Sequence, residues 1–436
     1  MFVFVTFPFS IVRSLFYFIN NNQHLKIYIV IFLVLLLGNS QAQVVQFDSL
    51  TYKKALKLAQ KYAIVDGHVD LPYRLRIKNF RLTKEYLGIP YKTDEGDFDY
   101  VRARKGGLDA PFMSIYIPSS FQKTGGAKEL ADSLINMVEY IAENQSDYFQ
   151  MAYSPKDVIK AKKKGKIALP MGMENGAPVE DDISLVPYFK RRGISYITLT
   201  HAKDNKICDS SYDTTRTSNG LSKYGYLVVD EMVKNGIMVD ISHVSDSTFY
   251  QVLRHVKVPV IASHSSCRKY TPGFERNMSD DMIYKMKENG GVIMVNFGST
   301  FLDSRVGQYN DSLRNVLQEI LINKGIKDGT DDAKIVRDSF QRSNPRLFSD
   351  VGMVADHIDH IVRIAGVNHV GFGSDYDGMG DSLPTGLKDV GDYPNLIAVL
   401  LTRGYSKSDI EKMCSGNLFR VWNKVLKVAK KYSKLK

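Results

Sequence analysis

Eight short apolar runs, rich in β-branched residues, alternate with amphipathic stretches along this 436-residue chain. This alternation is typical of repeated strand–helix units whose strands form a parallel sheet that is buried on both faces. Eight parallel strands are the number that closes a (β/α)8 barrel. The predicted strands span residues 63–71, 110–117, 167–173, 196–201, 237–243, 259–265, 291–297 and 369–376.

The stretches between the predicted strands have the apolar periodicity of helices. Three of the clearest end at a glycine, which is the usual residue just beyond a helix C-terminus. We therefore predict an α/β chain with a TIM-type (β/α)8 barrel, and an open doubly wound sheet is the alternative. The clearest helices are predicted at residues 127–145, 224–236, 281–290 and 353–366.

One long polar interruption lies between the seventh and eighth predicted strands. Residues 302–346 include the helical pattern DSLRNVLQEILINKG, and we interpret them as a surface insertion rather than a second domain. Because α/β barrels of about 250 residues or more fold as one unit, residues 43–436 are predicted to form a single catalytic domain.

The chain begins with an apolar leader. Residues 27–37 form an apolar run that follows Lys26, and Ser40 and Ala42 stand at the small-residue positions of a signal-peptidase site. The run is shorter than the roughly 20 residues that span a bilayer, so an uncleaved anchor is the weaker alternative. We therefore expect residues 1–42 to be a cleaved signal peptide. The mature protein is expected to be exported, periplasmic or extracellular, with no stable membrane anchor.

Charge and cysteine content argue against two other classes of protein. The chain has 58 Lys and Arg against 47 Asp and Glu, but six of the lysines lie in the last thirteen residues, where they suit a solvated helix end. We therefore expect no nucleic-acid partner. Three widely spaced cysteines provide neither a disulfide framework nor a CxxC metal site.

Polar residues are concentrated at the C-terminal ends of the predicted strands, where active sites of this fold lie. His68 and Asp70 are two residues apart, a spacing that places both side chains on one face of a strand. Four of the eight histidines beyond the leader lie at predicted strand ends, and the other four are expected to be structural. The strand-end residues are His68, Asp70, Glu174, His201, His243, His264, Asp375 and Asp377, and the other histidines are His255, His357, His360 and His369.

The strand-end residues have the chemistry of a zinc site, because zinc binds imidazole nitrogen and carboxylate oxygen. A catalytic zinc ion uses three protein ligands and leaves one position open, so five or more ligands exceed the needs of one ion. Two ions that share a carboxylate fit the set better, and Glu174 lies between the two groups of ligands. Such a pair lowers the pKa of a bridging water and provides a hydroxide nucleophile.

Seven short motifs, in order from about residue 63 onward, together resemble the membrane dipeptidase family, also called renal dipeptidase or peptidase family M19. Each motif alone is weak evidence, whereas the ordered set is highly specific. The resemblance implies a zinc-dependent dipeptidase on a (β/α)8 barrel with a binuclear site. The motifs are DGHVDLP (66–72), GMENG (172–176), YITLTH (196–201), DISHVS (240–245), SHSS (263–266), ERN (275–277) and VGFGSDYDG (370–378).

The resemblance also implies a role for each matching residue. His201 would contact the substrate and its tetrahedral intermediate, Asp375 would be the proton shuttle, and Arg276 would bind the terminal carboxylate of a dipeptide. Glu174 would bridge two zinc ions. The implied ligands are His68, Asp70 and Glu174 for the first ion, and Glu174, His243 and His264 for the second.

The chain departs from the family pattern in two places. The spacing between SHSS and ERN is one residue longer, which leaves Arg268 as a rival to Arg276 for the carboxylate. The insertion after the seventh strand lies near the substrate entrance and leaves the preferred dipeptides open.

Two other functions remain open at the level of sequence. One is a different metal-dependent amidohydrolase that acts on a lactone, phosphoester or cyclic amide, because the same barrel supports many reactions. The other is an exported metal-binding module without catalysis. The oligomeric state is also open, with a homodimer among the states that the sequence allows.

Overall fold

The computed structural model describes residues 48–77, 91–180 and 182–434, and the predicted leader, residues 1–42, lies outside the described residues. In these ranges strands and helices alternate along the chain. The α-helices, α1 to α17 in chain order, are Ser49–Lys61, Leu71–Ile77, Tyr100–Gly106, Phe121–Thr124, Ala127–Asn144, Pro155–Lys163, Leu185–Arg191, Lys223–Asn235, Asp246–His255, Asp280–Asn289, Ser299–Leu302, Ser304–Asn323, Asp331–Ser343, Val351–Ala365, Tyr393–Thr402, Lys407–Glu411 and Asn417–Tyr432.

Eight parallel strands close into a barrel in the order β1-β10-β9-β8-β7-β6-β5-β2. Two further strands, β3 and β4, form a separate parallel pair. The strands β1 to β10 are Ile64–Val69, Leu108–Tyr116, Phe149–Met151, Ile167–Leu169, Met171–Glu174, Ile194–Thr198, Met238–Asp240, Ile261–Ala262, Val292–Val295 and Val370–Phe372.

The barrel confirms the predicted fold, and each of the eight predicted strands provides one barrel strand. The third prediction, residues 167–173, is divided at Pro170. Residues before the proline pair with β3, and β5, which follows it, belongs to the barrel. Proline has no N–H group to donate to a strand ladder, whereas its carbonyl still accepts a hydrogen bond from Met113 N at 2.8 Å.

The clearest predicted helices are also confirmed, as α5, α8, α10 and α14. Helices α8 and α10 are followed by Gly236 and Gly290, whose φ angles of 73° and 81° lie in the left-handed region that favours glycine. Every residue of β1, β6 and β9 is buried. Burial on both faces explains why β9, with the sequence VIMV, is a continuous apolar run rather than an alternating one.

The insertion between the seventh and eighth barrel strands is a helical hairpin made by α12 and α13. Its helices pack Leu317, Leu321 and Ala333 into a small apolar cluster, which Phe340 and Ile326 flank. The polar exterior of the segment reflects its position at the surface. Among the described residues, none of the helices combines the length and the apolar composition needed to cross a membrane.

Candidate active site

The residues predicted to bind metal meet at the C-terminal mouth of the barrel. Nε2 of His68 lies 3.2 Å from Glu174 Oε2, and Nε2 of His243 and of His264 lie 3.1 and 3.3 Å from Glu174 Oε1. Three overlapping groups have ligand atoms that all lie within 4.8 Å of one another: His68, Glu174 and His264; Glu174, His201 and His243; and His68, Asp70 and Asp375.

Glu174 is the last residue of β5 and touches both halves of this cluster. One carboxylate oxygen faces His68, and the other faces His243 and His264. Burial by itself would raise the pKa of Glu174, but the imidazoles of His68 and His201 help to hold that pKa well below its usual range. An ionised carboxylate shared in this way has the arrangement of a bridging ligand.

The imidazole of His264 has the tautomer that metal binding requires. Its Nδ1 lies 2.8 Å from Ser263 Oγ, which donates its own proton to Asp240 Oδ2 at 2.6 Å. Because that proton is committed to the carboxylate, Ser263 Oγ accepts the Nδ1 proton of His264, and Nε2 keeps its lone pair. Burial also lowers the pKa of His243 and of His264 well below the usual value, so both rings are neutral.

Both halves of the cluster contain buried polar atoms that a cation would satisfy. His68 Nε2 and Asp70 Oδ1 have no hydrogen-bond partner among the described residues. Nε2 of His243 and of His264 lie 2.9 Å apart. Buried polar groups are normally paired, and lone pairs that converge on one point are the expected arrangement of metal ligands without their ion. The residues therefore fit a metal centre.

His201 and Asp375 flank the cluster. His201 follows β6, is partly exposed, and its Nε2 lies 3.8 Å from Glu174 Oε1. Asp375 follows β10 with a φ of 65°, and its Oδ2 accepts a hydrogen bond from Asn296 Nδ2 at 2.8 Å. Burial raises the pKa of Asp375 to about 7, which Asp70 and Glu174 reinforce as like charges. A carboxyl group with such a pKa suits proton transfer near neutral pH.

A cavity of about 510 Å³ opens above the cluster. Its volume is in the range of small-molecule sites. Acidic and imidazole groups form the floor, and aromatic and apolar side chains form much of the wall. The predicted site residues among its lining are Asp70, Glu174, His201, His243 and Asp375, and the wall includes Tyr73, Tyr116, Tyr212, Phe301 and Met379.

The two arginines that compete for the substrate carboxylate lie in different surroundings. Arg276 is 3% exposed and does not line the cavity, but its Cζ lies 5.5 Å from the ring centroid of Phe301, which does. Its two terminal nitrogens donate to Ser265 Oγ and the His264 carbonyl, both at 2.7 Å, and its Nε has no hydrogen-bond partner among the described residues. Arg268 is instead paired with Asp246.

Asp377 does not join the ligand groups. Its Oδ1 lies 2.9 Å from Arg74 Nε and accepts a hydrogen bond from Asp97 N at 2.6 Å. These contacts tie the loop after β10 to α2 and to the segment before α3. The four histidines away from the strand ends are also outside the cluster, and His357, for example, bonds Cys267 N and the Leu302 carbonyl.

Sequence reasoning missed the residues that support the cluster. Tyr196, Ser263 and Asn296 each contact a predicted site residue, and Asp240 accepts a hydrogen bond from Ser263. Tyr196, Asp240 and Ser263 stand inside the motifs YITLTH, DISHVS and SHSS, and this placement is the one signal that could have drawn attention to them.

Residues 52–436 match the model of a family described as membrane dipeptidase, peptidase family M19. The chain belongs to this family. It is therefore a metallo-dipeptidase, and family membership favours that prediction over the amidohydrolase and non-catalytic alternatives.

Relatives of this M19 dipeptidase agree with the assignment. A dipeptidase of Schizosaccharomyces pombe is 31% identical over 400 residues, which are 88% of this chain and 86% of that protein. The crystal structure of the probable dipeptidase PvdM from Pseudomonas aeruginosa matches with a TM-score of 0.72 and 24% identity, over 88% of this chain and 100% of that chain. A metallopeptidase of Rhodobacter sphaeroides, liganded with a phosphinate mimic of L-Ala-D-Ala, matches with a TM-score of 0.68 and 21% identity, over 84% of this chain and 99% of that chain. The two structural likenesses confirm the barrel fold.

Proposed function

We propose that this M19 dipeptidase hydrolyses dipeptides at a binuclear zinc site that Glu174 bridges. One observation carries the proposal: Glu174 Oε2 lies 3.2 Å from His68, whereas Oε1 lies 3.1 and 3.3 Å from His243 and His264. His68 and Asp70 would complete the first site, and His243 and His264 the second. The mixture of nitrogen and oxygen donors supports zinc as the metal.

Bound zinc would supply an activated water and polarise the scissile carbonyl group. His201 faces the cavity beside Glu174, and in this proposal it hydrogen-bonds the oxygen on which negative charge develops. Asp375 takes a proton from the nucleophile and delivers it to the leaving amine. Its hydrogen bond to Asn296 fixes the carboxylate beside Asp70, at the edge of the cluster.

Arg276 is proposed to pair with the C-terminal carboxylate of the dipeptide. Its present acceptors, Ser265 Oγ and the His264 carbonyl, are neutral, and a carboxylate is a stronger acceptor for a guanidinium. Phe301 separates Arg276 from the cavity, so binding requires the guanidinium and this ring to shift. An ion pair at one end and the metal cluster at the other exclude longer peptides.

The test is metal analysis combined with a dipeptide panel, on protein that starts at Gln43. We expect two zinc ions per chain and hydrolysis of dipeptides, with little hydrolysis of tripeptides. The panel should include L,L and L,D pairs, because the R. sphaeroides relative was liganded with a mimic of L-Ala-D-Ala. One zinc ion per chain would contradict the binuclear site, and turnover of a lactone or phosphoester without dipeptide turnover would contradict the substrate class.

We also propose that residues 1–42 direct export and are removed, so that the enzyme acts in the periplasm or outside the cell. The support is the apolar run at 27–37 and the small residues Ser40 and Ala42. Cell fractionation and N-terminal sequencing of the protein expressed with its own leader test this. A cytoplasmic protein that retains Met1 would contradict it.

A further inference from the structure

Tyr196 lies on β6 with its side chain fully buried inside the barrel. Its hydroxyl oxygen lies 2.9 Å from His68 Nδ1 and 3.0 Å from the carbonyl oxygen of Gly67. Both Tyr196 and His68 have an exposed fraction of 0%. The phenol therefore contacts a predicted metal ligand from the side opposite to the metal cluster.

The two contacts of the hydroxyl determine where the imidazole proton lies. A carbonyl oxygen can only accept, so the hydroxyl donates to Gly67 and its oxygen accepts from Nδ1–H of His68. An imidazole that binds a cation is neutral and has one N–H group, so with that proton on Nδ1 the lone pair of Nε2 is left for the metal. That nitrogen lies 3.2 Å from Glu174 and 3.5 Å from Asp70.

Gly172 makes this position of the phenol ring possible. Gly172 and Tyr196 are register partners on the neighbouring strands β5 and β6. A Cβ atom on residue 172 would lie 1.9 Å from Cζ of Tyr196 and 2.2 Å from its Cε1. A side chain at position 172 would therefore displace the ring. The first glycine of GMENG therefore leaves room for the phenol that contacts the histidine of DGHVDLP.

We propose that Tyr196 is a positioning residue for the first metal site, where its hydroxyl fixes the tautomer and the ring orientation of His68, in space that Gly172 provides. The inference rests on the proposed binuclear centre. Ser263 makes the equivalent contact to His264 at the second site, and Asp240 accepts the hydroxyl proton of Ser263. The chain therefore contains a matched pair, a phenol behind one metal-binding imidazole and a serine–aspartate pair behind the other.

Removal of the hydroxyl in Tyr196→Phe leaves His68 Nδ1 without a partner in a site that solvent does not reach. The ring can then take the other tautomer, whose Nε2–H cannot bind a cation. Loss of such supporting contacts typically weakens metal binding by about 10- to 100-fold. We expect this loss at one of the two zinc sites in Tyr196→Phe, and at the other site in Ser263→Ala.

The experiment titrates the zinc-free chain from Gln43 onward with zinc chloride, in competition with a chromophoric chelator. Wild type, Tyr196→Phe and Ser263→Ala are each measured alone and in combination with Asp70→Asn, which disables the first site. In the Asp70→Asn background, Tyr196→Phe should cause no further loss, because the site that Tyr196 supports is already disabled. Ser263→Ala should still weaken the remaining site.

A second readout separates positioning from a merely structural role. Zinc-free Tyr196→Phe should have a lower Tm than the zinc-free wild type, because His68 Nδ1 and the Gly67 carbonyl lose a buried partner. The rise in Tm on adding zinc should also shrink, and a merely structural role would leave that rise unchanged, because stabilisation by a ligand grows with the logarithm of its concentration over Kd. Selective ¹⁵N-histidine NMR of the zinc-loaded wild type gives a test that needs no variant. We expect His68 to be protonated at Nδ1.

The possible failures are distinguishable. A wild type that binds fewer than two zinc ions contradicts the proposed centre, and the inference with it. Two wild-type affinities in Tyr196→Phe would overturn the inference alone, as would a further loss in the Asp70→Asn background. An Nε2-protonated His68 in the zinc-loaded wild type would also overturn it.

Discussion

Arg268 and Asp246 form a two-bond ion pair, with distances of 2.7 Å from Nη1 to Oδ2 and 2.6 Å from Nη2 to Oδ1. Nε of Arg268 also donates to the Asn277 carbonyl at 2.8 Å, and Nη2 donates to the Glu275 carbonyl at 3.0 Å. The guanidinium therefore ties the start of α9 to the segment that carries Arg276. This geometry favours Arg276 over Arg268 as the group that binds the substrate carboxylate.

Arg276→Ala should raise KM for dipeptides and lower kcat/KM, with both metals retained. Loss of one partner from a buried charged pair costs about 2 to 5 kcal/mol, which corresponds to a fall of about 30-fold or more in kcat/KM. A dipeptide amide, which lacks the carboxylate, should lose much less. Steady-state kinetics with both substrates checks this.

The matched control for that experiment is Arg268→Lys, which keeps the charge but loses the two-bond pair with Asp246. This variant should lower the Tm, whereas its preference for a dipeptide over the dipeptide amide should stay close to that of the wild type. Unchanged kinetics in Arg276→Ala would contradict the assignment, and loss of the preference in Arg268→Lys alone would move the role to Arg268.

Glu174→Ala should lose both metal ions, because one carboxylate contacts the imidazoles of both sites. Elemental analysis after dialysis is the measurement, and activity should fall with the metal content. Asp70→Ala is the comparison, because it removes a ligand from one site only. Full zinc occupancy in Glu174→Ala would reject the bridge.

The metal cluster could be foreseen because it depends on regularities that sequence displays. Parallel strands bring their C-terminal ends to one mouth, so His68, Glu174 and His243 could be grouped without coordinates. The supporting contacts depend on register between strands that are far apart in sequence. Tyr196 is indistinguishable from a core aromatic residue until Gly172 is seen beside it, and the pairing of Arg268 with Asp246 leaves no local pattern.

The division of the third predicted strand has a similar cause. An apolar run that contains Pro170 is one strand by composition, and the separate pairing of β4 with β3 decides that it is two. The boundary between β4 and β5 therefore follows from tertiary pairing rather than from local propensity.

Stability should fall as the pH falls from about 6.5 to 4, in part because of His357. Its Nδ1 accepts from Cys267 N and its Nε2 donates to the Leu302 carbonyl, both at 2.9 Å, so the folded protein needs the neutral ring. Burial lowers the pKa of His357 from 6.5 to about 4. The stabilisation is complete above the unfolded pKa and is lost as the pH falls through the folded one, up to about 3 kcal/mol.

Urea unfolding of the zinc-free protein between pH 7 and pH 4 measures this effect. His357→Gln, whose amide can still donate and accept, should show a shallower loss of unfolding free energy over that range. His255→Gln, at a partly exposed histidine, is the control and should keep the wild-type slope. Equal slopes in His357→Gln and the wild type would contradict the prediction.

Leu321→Ala should loosen the helical hairpin without affecting the barrel. Leu321 is 2% exposed and packs with Leu317 and Ala333 in a cluster of the hairpin itself. Truncation of a buried leucine costs about 2 to 5 kcal/mol. Limited proteolysis should therefore cut residues 304–346 faster, while the main unfolding transition stays in place. A matching fall in the main Tm would show that the hairpin and the barrel unfold together.

The proposed zinc centre predicts that zinc removal abolishes turnover while the barrel remains folded. The core consists of strands that are buried on both faces and packed against helices, as with Trp422 of α17, whose ring centroid lies 5.2 Å from that of Phe112 on β2. A core of this size does not depend on a metal for its stability.

Zinc-free protein should keep its far-UV circular dichroism spectrum and regain activity when zinc is restored. Its Tm should be lower by an amount set by zinc affinity, since zinc at 100 times its Kd stabilises by about 2.7 kcal/mol. Loss of the helical signal on chelation would mean that the metal cluster holds the barrel together.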